Sequence, residues 1–142
     1  VGAAGATGAT GVAGTIGAFF DNTDRSTTST TFVNLNVTGA AMTYAVPATA
    51  NRVAVTYTFQ CTAPGTLTNV FTRLTLNGAV GIGETDDTIS CTDANPASVG
   101  MTRVWNVTPG TTVTLAVLGR IAGVLSAGHW DQSSISVIPG TQ

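Results

Sequence analysis

The chain has 142 residues, a formal net charge of −2 and only 8% charged residues, with five arginines and no lysine. So few cations cannot build the basic stripe that a nucleic-acid binder needs to displace counterions from phosphates. With 43% hydrophobic residues and a mean hydropathy of +0.31 the chain should pack rather than stay disordered. Its longest apolar stretch, Val113 to Leu125, is broken by Gly119-Arg120, so no membrane span is expected. The length suits one domain with a modest core. Threonine is the commonest residue, and a surface of hydroxyls and amides fits a rigid extracellular β-protein better than a cytosolic enzyme.

The N-terminal segment shows no signal-peptide pattern, so any targeting signal is expected to have been removed. It carries instead six consecutive triplets that begin with Gly2, Gly5, Gly8, Gly11, Gly14 and Gly17. Glycine in strict threefold phase is the collagen pattern, because three chains wound together leave room only for hydrogen at their axis. A flexible glycine-rich linker has no reason to keep that phase. Residues 1–18 contain no proline, which raises the ordering entropy of each chain. Such triplets need a trimerising head beside them, more collagen upstream, or both. An alternative is that this segment completes a neighbour's sheet as a donated strand in a filament. Against it, Val12, Ile16, Phe19 and Phe20 do not alternate with period two. The expected organisation is a collagen-like stalk over residues 1–20, a polar hinge over 21–30 and a head over 31–142.

From Thr31 the apolar residues alternate with polar ones, the pattern of half-buried strands. Val33, Leu35 and Val37 share a face before Gly39, and Met42, Tyr44 and Val46 follow, ended by Pro47. Val53, Val55, Tyr57, Phe59 and Cys61 form the clearest strand, closed by Ala63-Pro64-Gly65. Val70, Leu74 and Leu76 lead to Asn77-Gly78, a strong hairpin signal. Ile82 and Ile89 flank an acidic loop; Met101, Arg103, Trp105 and Val107 precede Pro109-Gly110; then come Val113, Leu115 and Val117. The glycines of Gly119 to Gly128 favour strand or loop over a short helix, and a last alternating stretch runs from Trp130 to Ile138. About eight short strands without helical period predict an all-β sandwich or jelly roll, with the strand order left open.

The Gly-Ala-Thr triplets at 5–10, Leu74-Thr-Leu-Asn-Gly78, Thr108-Pro-Gly-Thr-Thr-Val-Thr-Leu115 and Ser134-Ile-Ser-Val-Ile-Pro139 carry a resemblance. Together they resemble the C1q/TNF-like jelly-roll heads of bacterial and phage collagen-like proteins, including spore-surface filament heads and phage tail or head fibres. The resemblance implies that the head forms a homotrimer, seeds a triple helix, and contacts a host-surface glycan or protein. It also implies other virion or surface-structure proteins as partners.

Several residues are candidates for chemistry. Cys61 and Cys91 both lie on apolar faces, and in an extracellular setting they predict a disulfide, with buried thiols as the alternative. Closing a loop of that length stabilises by roughly 3–4 kcal/mol in the chain-entropy model. Glu84, Asp86 and Asp87, with Asp93 nearby, offer carboxylates for a Ca²⁺ ion, or a pair for glycoside hydrolysis, against the plainer reading of a solvated loop. His129 and Asp131 flank Trp130 and could serve Ser126 or Ser133 as nucleophile, though neither serine has an elbow or oxyanion signature. Trp105 and Trp130 are candidate sugar-stacking residues or, more simply, core or trimer-seam anchors. Asn36-Val-Thr38 and Asn106-Val-Thr108 are glycosylation sequons, and Thr7 and Thr10 suit O-glycosylation of a stalk. The expected function is that of a structural and adhesive fibre on a virion or cell surface. A donated-strand filament and a glycan-cleaving fibre tip are the alternatives. No catalytic residue and no cofactor beyond that Ca²⁺ candidate is expected.

Overall fold

A computed structural model describes residues 17–39, 41–63, 69–82, 88–91, 96–123 and 127–142. Every regular element among them is a strand: β1 (Gly17–Asp21), β2 (Arg25–Thr27), β3 (Val33–Asn34), β4 (Met42–Ala45), β5 (Arg52–Thr62), β6 (Asn69–Leu76), β7 (Thr88–Cys91), β8 (Ala97–Asn106), β9 (Thr112–Ala122) and β10 (Gly128–Gly140). They form two antiparallel sheets. The first runs β1-β10-β5-β8, with β2 continuing the β1 edge along β10. The second runs β3-β9-β6-β7, with β4 continuing the β3 edge along β9.

Counting each broken edge as one strand leaves eight, four per sheet, and their pairings nest. The first edge pairs with β10, the second with β9, β5 with β8, and β6 with β7. A long antiparallel ribbon folded over on itself in this way is a jelly roll.

Alternation puts Val53, Val55, Tyr57, Phe59 and Cys61 of β5 inward, facing Val113, Leu115, Val117 and Ile121 of β9. Trp130 crosses from β10 to the second sheet, where its Nε1 donates to Thr72 Oγ1 at 2.7 Å. Its ring lies over Gly119 of β9, where an added Cβ would sit 2.6 Å from it. Only glycine admits the indole there. The Cys61–Cys91 disulfide joins β5 to β7 and so links the two sheets.

Three expectations differ in detail from the structure. The strand expected through Val37 ends at Asn34, because Asn36 (φ 48°) and Thr38 (φ 72°) turn the backbone left-handed; Leu35 and Val37 remain buried. The segment read as stalk and hinge supplies edge strands: β1 begins at the last triplet glycine, Gly17, and β2 lies within 21–30. Gly2, Gly5, Gly8, Gly11 and Gly14 lie outside the described residues. The Trp130–Ile138 alternation is interrupted. Between Asp131 and Ser134 β10 advances three residues while β5 advances two, a bulge with Gln132 at φ 48°. Trp130 therefore points inward and Ile138 outward, although they are eight residues apart. At Asn77-Gly78 the expected tight turn forms, with Leu76 and Ala79 exchanging two backbone bonds of 2.9 Å. The pairing stops at that single bridge.

Gly119→Ala should lower stability by about 1–3 kcal/mol through overpacking against Trp130, read as a reduced urea midpoint at unchanged slope. An unchanged midpoint would show that the indole is not fixed there.

Candidate functional site

The corner between β1 and β2 is built around Asp21, which is only 8% exposed. Its Oδ1 accepts the Thr23 N–H at 3.0 Å, a local Asx turn. Its Oδ2 accepts Arg25 Nε at 2.8 Å and the Thr38 N–H at 3.0 Å. The last bond reaches the turn between β3 and β4 of the second sheet, and it holds a β-branched residue in a strained left-handed conformation. Burial works to raise the Asp21 carboxyl. The hydrogen bonds from Thr23, Arg25 and Thr38 outweigh it and hold the group well below the usual carboxylate range. Behind it, Ser133 at the bulge pairs with Asp21 along the backbone and hydrogen-bonds the Tyr57 hydroxyl at 2.9 Å. Burial pushes the Tyr57 phenol up, the Ser133 bond works against that, and the Asp21 charge adds to it.

This corner positions Asp24 beside β10. His129 Nδ1 lies 2.8 Å from Asp24 Oδ2, and the two line an open hollow of about 330 Å³ with Gln60, Thr62, Pro96 and Asp131. Asp131 also accepts the Gln132 N–H at 2.7 Å. The hollow thus offers two carboxylates, an imidazole, an amide and a hydroxyl, all on the outer side of the first sheet. That set can hydrogen-bond a hydroxylated ligand.

The sequence candidates separate on the structure. His129 and Asp131 share the hollow, but His129 takes Asp24 as its partner, over 105 residues of sequence. Ser133 does not join them, since it is buried against Tyr57. Ser126, Glu84, Asp86, Asp87 and Asp93 lie outside the described residues. Trp130 is fully buried, and Trp105 is 4% exposed with its Nε1 bonded to the Ala79 carbonyl at 3.0 Å, so neither indole presents a face to a sugar. Asn36 is exposed in the turn before β4, and Asn106 is exposed at the end of β8. On the outer side of the second sheet, Arg73 and Arg120 stack on Phe32 at 4.1 and 5.2 Å, and Arg120 stacks on Phe71 at 3.9 Å. The sequence reading did not single out Asp21, Asp24 or this arginine–phenylalanine cluster. Only the Asp21-x-Thr23 spacing gave a local signal, that of an Asx turn.

No protein-family model and no curated protein matches the sequence. Solved structures do match the fold. The structure of infectious bursal disease virus Gx strain aligns at TM-score 0.56 and 10% identity, over 99% of this chain and 37% of that one. The crystal structure of the infectious bursal disease virus VP2 subviral particle aligns at TM-score 0.59 and 11% identity, over 96% and 36%. The chain therefore spans little more than a third of the viral chains it resembles, and at these identities the likeness is one of fold.

Asp21→Ala should cost about 1–3 kcal/mol, the range for bonds to a charged group that leave partners unpaired. The wild-type contribution is complete above about pH 5 and is lost as the pH falls, because the unfolded chain takes up the proton first. Urea midpoints measured from pH 7 down to pH 2 should therefore converge for wild type and variant; parallel curves would refute the role given to this carboxylate.

Proposed function

We propose that this chain is the rigid head of a structural and adhesive fibre, mounted on collagen-like triplets on a virion or other extracellular surface. The observation that carries the reading is the junction at Gly17. The sixth triplet glycine is also the first residue of β1, with no linker between repeat and sheet. A Cβ at Gly17 would sit 2.8 Å from the Tyr44 ring, so the head requires glycine at the position the repeat also requires it. Three chains winding together upstream would bring three β1 edges to a common axis, where an edge strand gains cover from its neighbours.

Further support comes from the fold and the surface. The viral chains that share the jelly roll belong to assembled particles. The disulfide suits an oxidising location. Lysine, a favoured guard of exposed edges, is absent, which suits a protein whose edges are covered by assembly. The His129 hollow is the place where such a head would meet a hydroxylated surface ligand such as a glycan. We assign it a binding role; of the two serines offered to His129, Ser133 is engaged by Tyr57 and Ser126 lies outside the described residues. β1 pairs with β10 of its own chain, so a donated-strand filament would have to use residues upstream of Gly17.

Sedimentation equilibrium of the full chain should give a threefold mass that persists on dilution. Replacing Gly8 and Gly11 with valine should abolish it while the head keeps its β-sheet circular dichroism. A mass that ignores those replacements would overturn the stalk.

A further inference from the structure

The outer side of the first sheet has a charge pattern that extends beyond the His129 hollow, and a partner on this face would compete with a ligand there. Register and alternation arrange its residues in rows across the strands. The central row is Ala18, Ser136, Thr56 and Thr102, with a 2.9 Å bond between the two threonine hydroxyls. On one side lies Ile138, Ala54 and Val104; on the other lies Phe20, Ser134, Thr58 and Gly100. None of these residues is charged. The charges stand at the two ends. Arg52 lies at one, beside a hollow of about 390 Å³ formed with Ala54, Val104, Ile138, Pro139 and Gly140. Asp24, His129 and Asp131 lie at the other, in the hollow described above. Arg52 Nε is buried and has no hydrogen-bond partner among the described residues. Two of the large apolar side chains that remain exposed, Phe20 at 73% and Ile138 at 51%, lie on this face.

We propose that this face pairs with the same face of a second copy, about a twofold axis that crosses the strands at the Thr56 row. Such an axis keeps each strand opposite itself and reverses its direction. The row of Arg52 then meets the row of Asp131 and Gln60, so each copy gives one guanidinium and receives one, and the ends match in charge. The row of Ile138 meets the row of Phe20, which brings these two exposed apolar side chains together on neighbouring strands. Val104 comes opposite Gly100, a protruding side chain against a bare backbone. The hydroxyl row lies on the axis.

The size is sufficient. Arg52 and Gln60 are eight residues apart on β5, about 26 Å at the rise of an antiparallel strand, and four strands span about 19 Å. That is about 500 Å² per copy and about 1,000 Å² in total, the lower bound for a specific contact. The chain enters the sheet at the Arg52 end, because Gly17 pairs with Val137 and Arg52 with Gly140. The paired heads therefore send their N-terminal segments in opposite directions, and the contact joins different fibres rather than chains of one stalk. It does not depend on how many chains that stalk contains.

A charge exchange tests this in the full chain, by sedimentation equilibrium at low salt. Wild type should show a concentration-dependent doubling of mass that weakens as salt rises. Arg52→Glu alone and Asp131→Arg alone should each weaken the doubling at least about tenfold, and the double variant should restore it. Thr102→Arg, which sets two guanidiniums across the axis, should abolish it. All four variants should keep the β-sheet circular dichroism of wild type, so that a change in mass reads the contact rather than the fold. No doubling in wild type, a double variant that stays unpaired, or a Thr102→Arg variant that still doubles would each overturn the proposal. Failure of the stalk reading shows separately, as a missing factor of three with the doubling intact.

Discussion

The extra residue in β10 decides which way the side chains along that strand point, into the core or into the candidate site. Without it, the strand would keep one parity from Trp130 to Ile138, and either the indole or the isoleucine would be on the wrong side of the sheet. With it, Trp130 fills the space over Gly119, Ser133 reaches the Tyr57 hydroxyl, and Ile135 and Val137 continue the core. His129, Asp131 and Ile138 are left outside. The bulge coincides with the corner at Asp21, where the edge strand breaks and a hydrogen bond reaches Thr38 in the second sheet's edge. A buried carboxylate with three donors, a buried hydroxyl pair and a kinked strand thus occupy one place.

Much of the β architecture was legible because alternation is a direct image of burial. β5 read clearly along its length, and β9 over Val113 to Val117, while its continuation past Gly119 was left between strand and loop because the glycine that admits Trp130 interrupts the apolar pattern. The tight turn at Asn77-Gly78 was legible from its two residues. The sequence did not announce where alternation lapses for a tertiary reason. Thr38 takes a conformation that its own side chain disfavours, because Asp21 holds its N–H from 17 residues away. The stretch from Asp21 to Thr30 looked like a hinge because it is polar, yet its polarity is that of a strand corner with its own hydrogen bonds. The His129–Asp24 pair could not be read at all, since nothing local connects two residues 105 positions apart.

The low charge acquires a spatial meaning. Of the five arginines, Arg25 is tied to Asp21, while Arg73 and Arg120 lie over phenylalanine rings. Arg103 donates to the Thr102 carbonyl, close to its own strand. Arg52 alone stands at the edge of a neutral face with an unsatisfied buried nitrogen. Solubility is left largely to threonine, serine and asparagine, whose hydroxyls and amides can be desolvated against one another at lower cost than charges.

The strands at which the described chain begins and finishes, β1 and β10, are antiparallel neighbours, and Gly17 lies across from Val137. The two backbone ends therefore leave the sandwich side by side, from one pole. A domain with that property can be spliced into a surface loop of another protein with only a small separation to bridge. Its fold is closed before the host chain resumes. The same geometry lets one jelly roll stand as a separate head or as roughly a third of a longer polypeptide, as in the viral chains whose fold it shares.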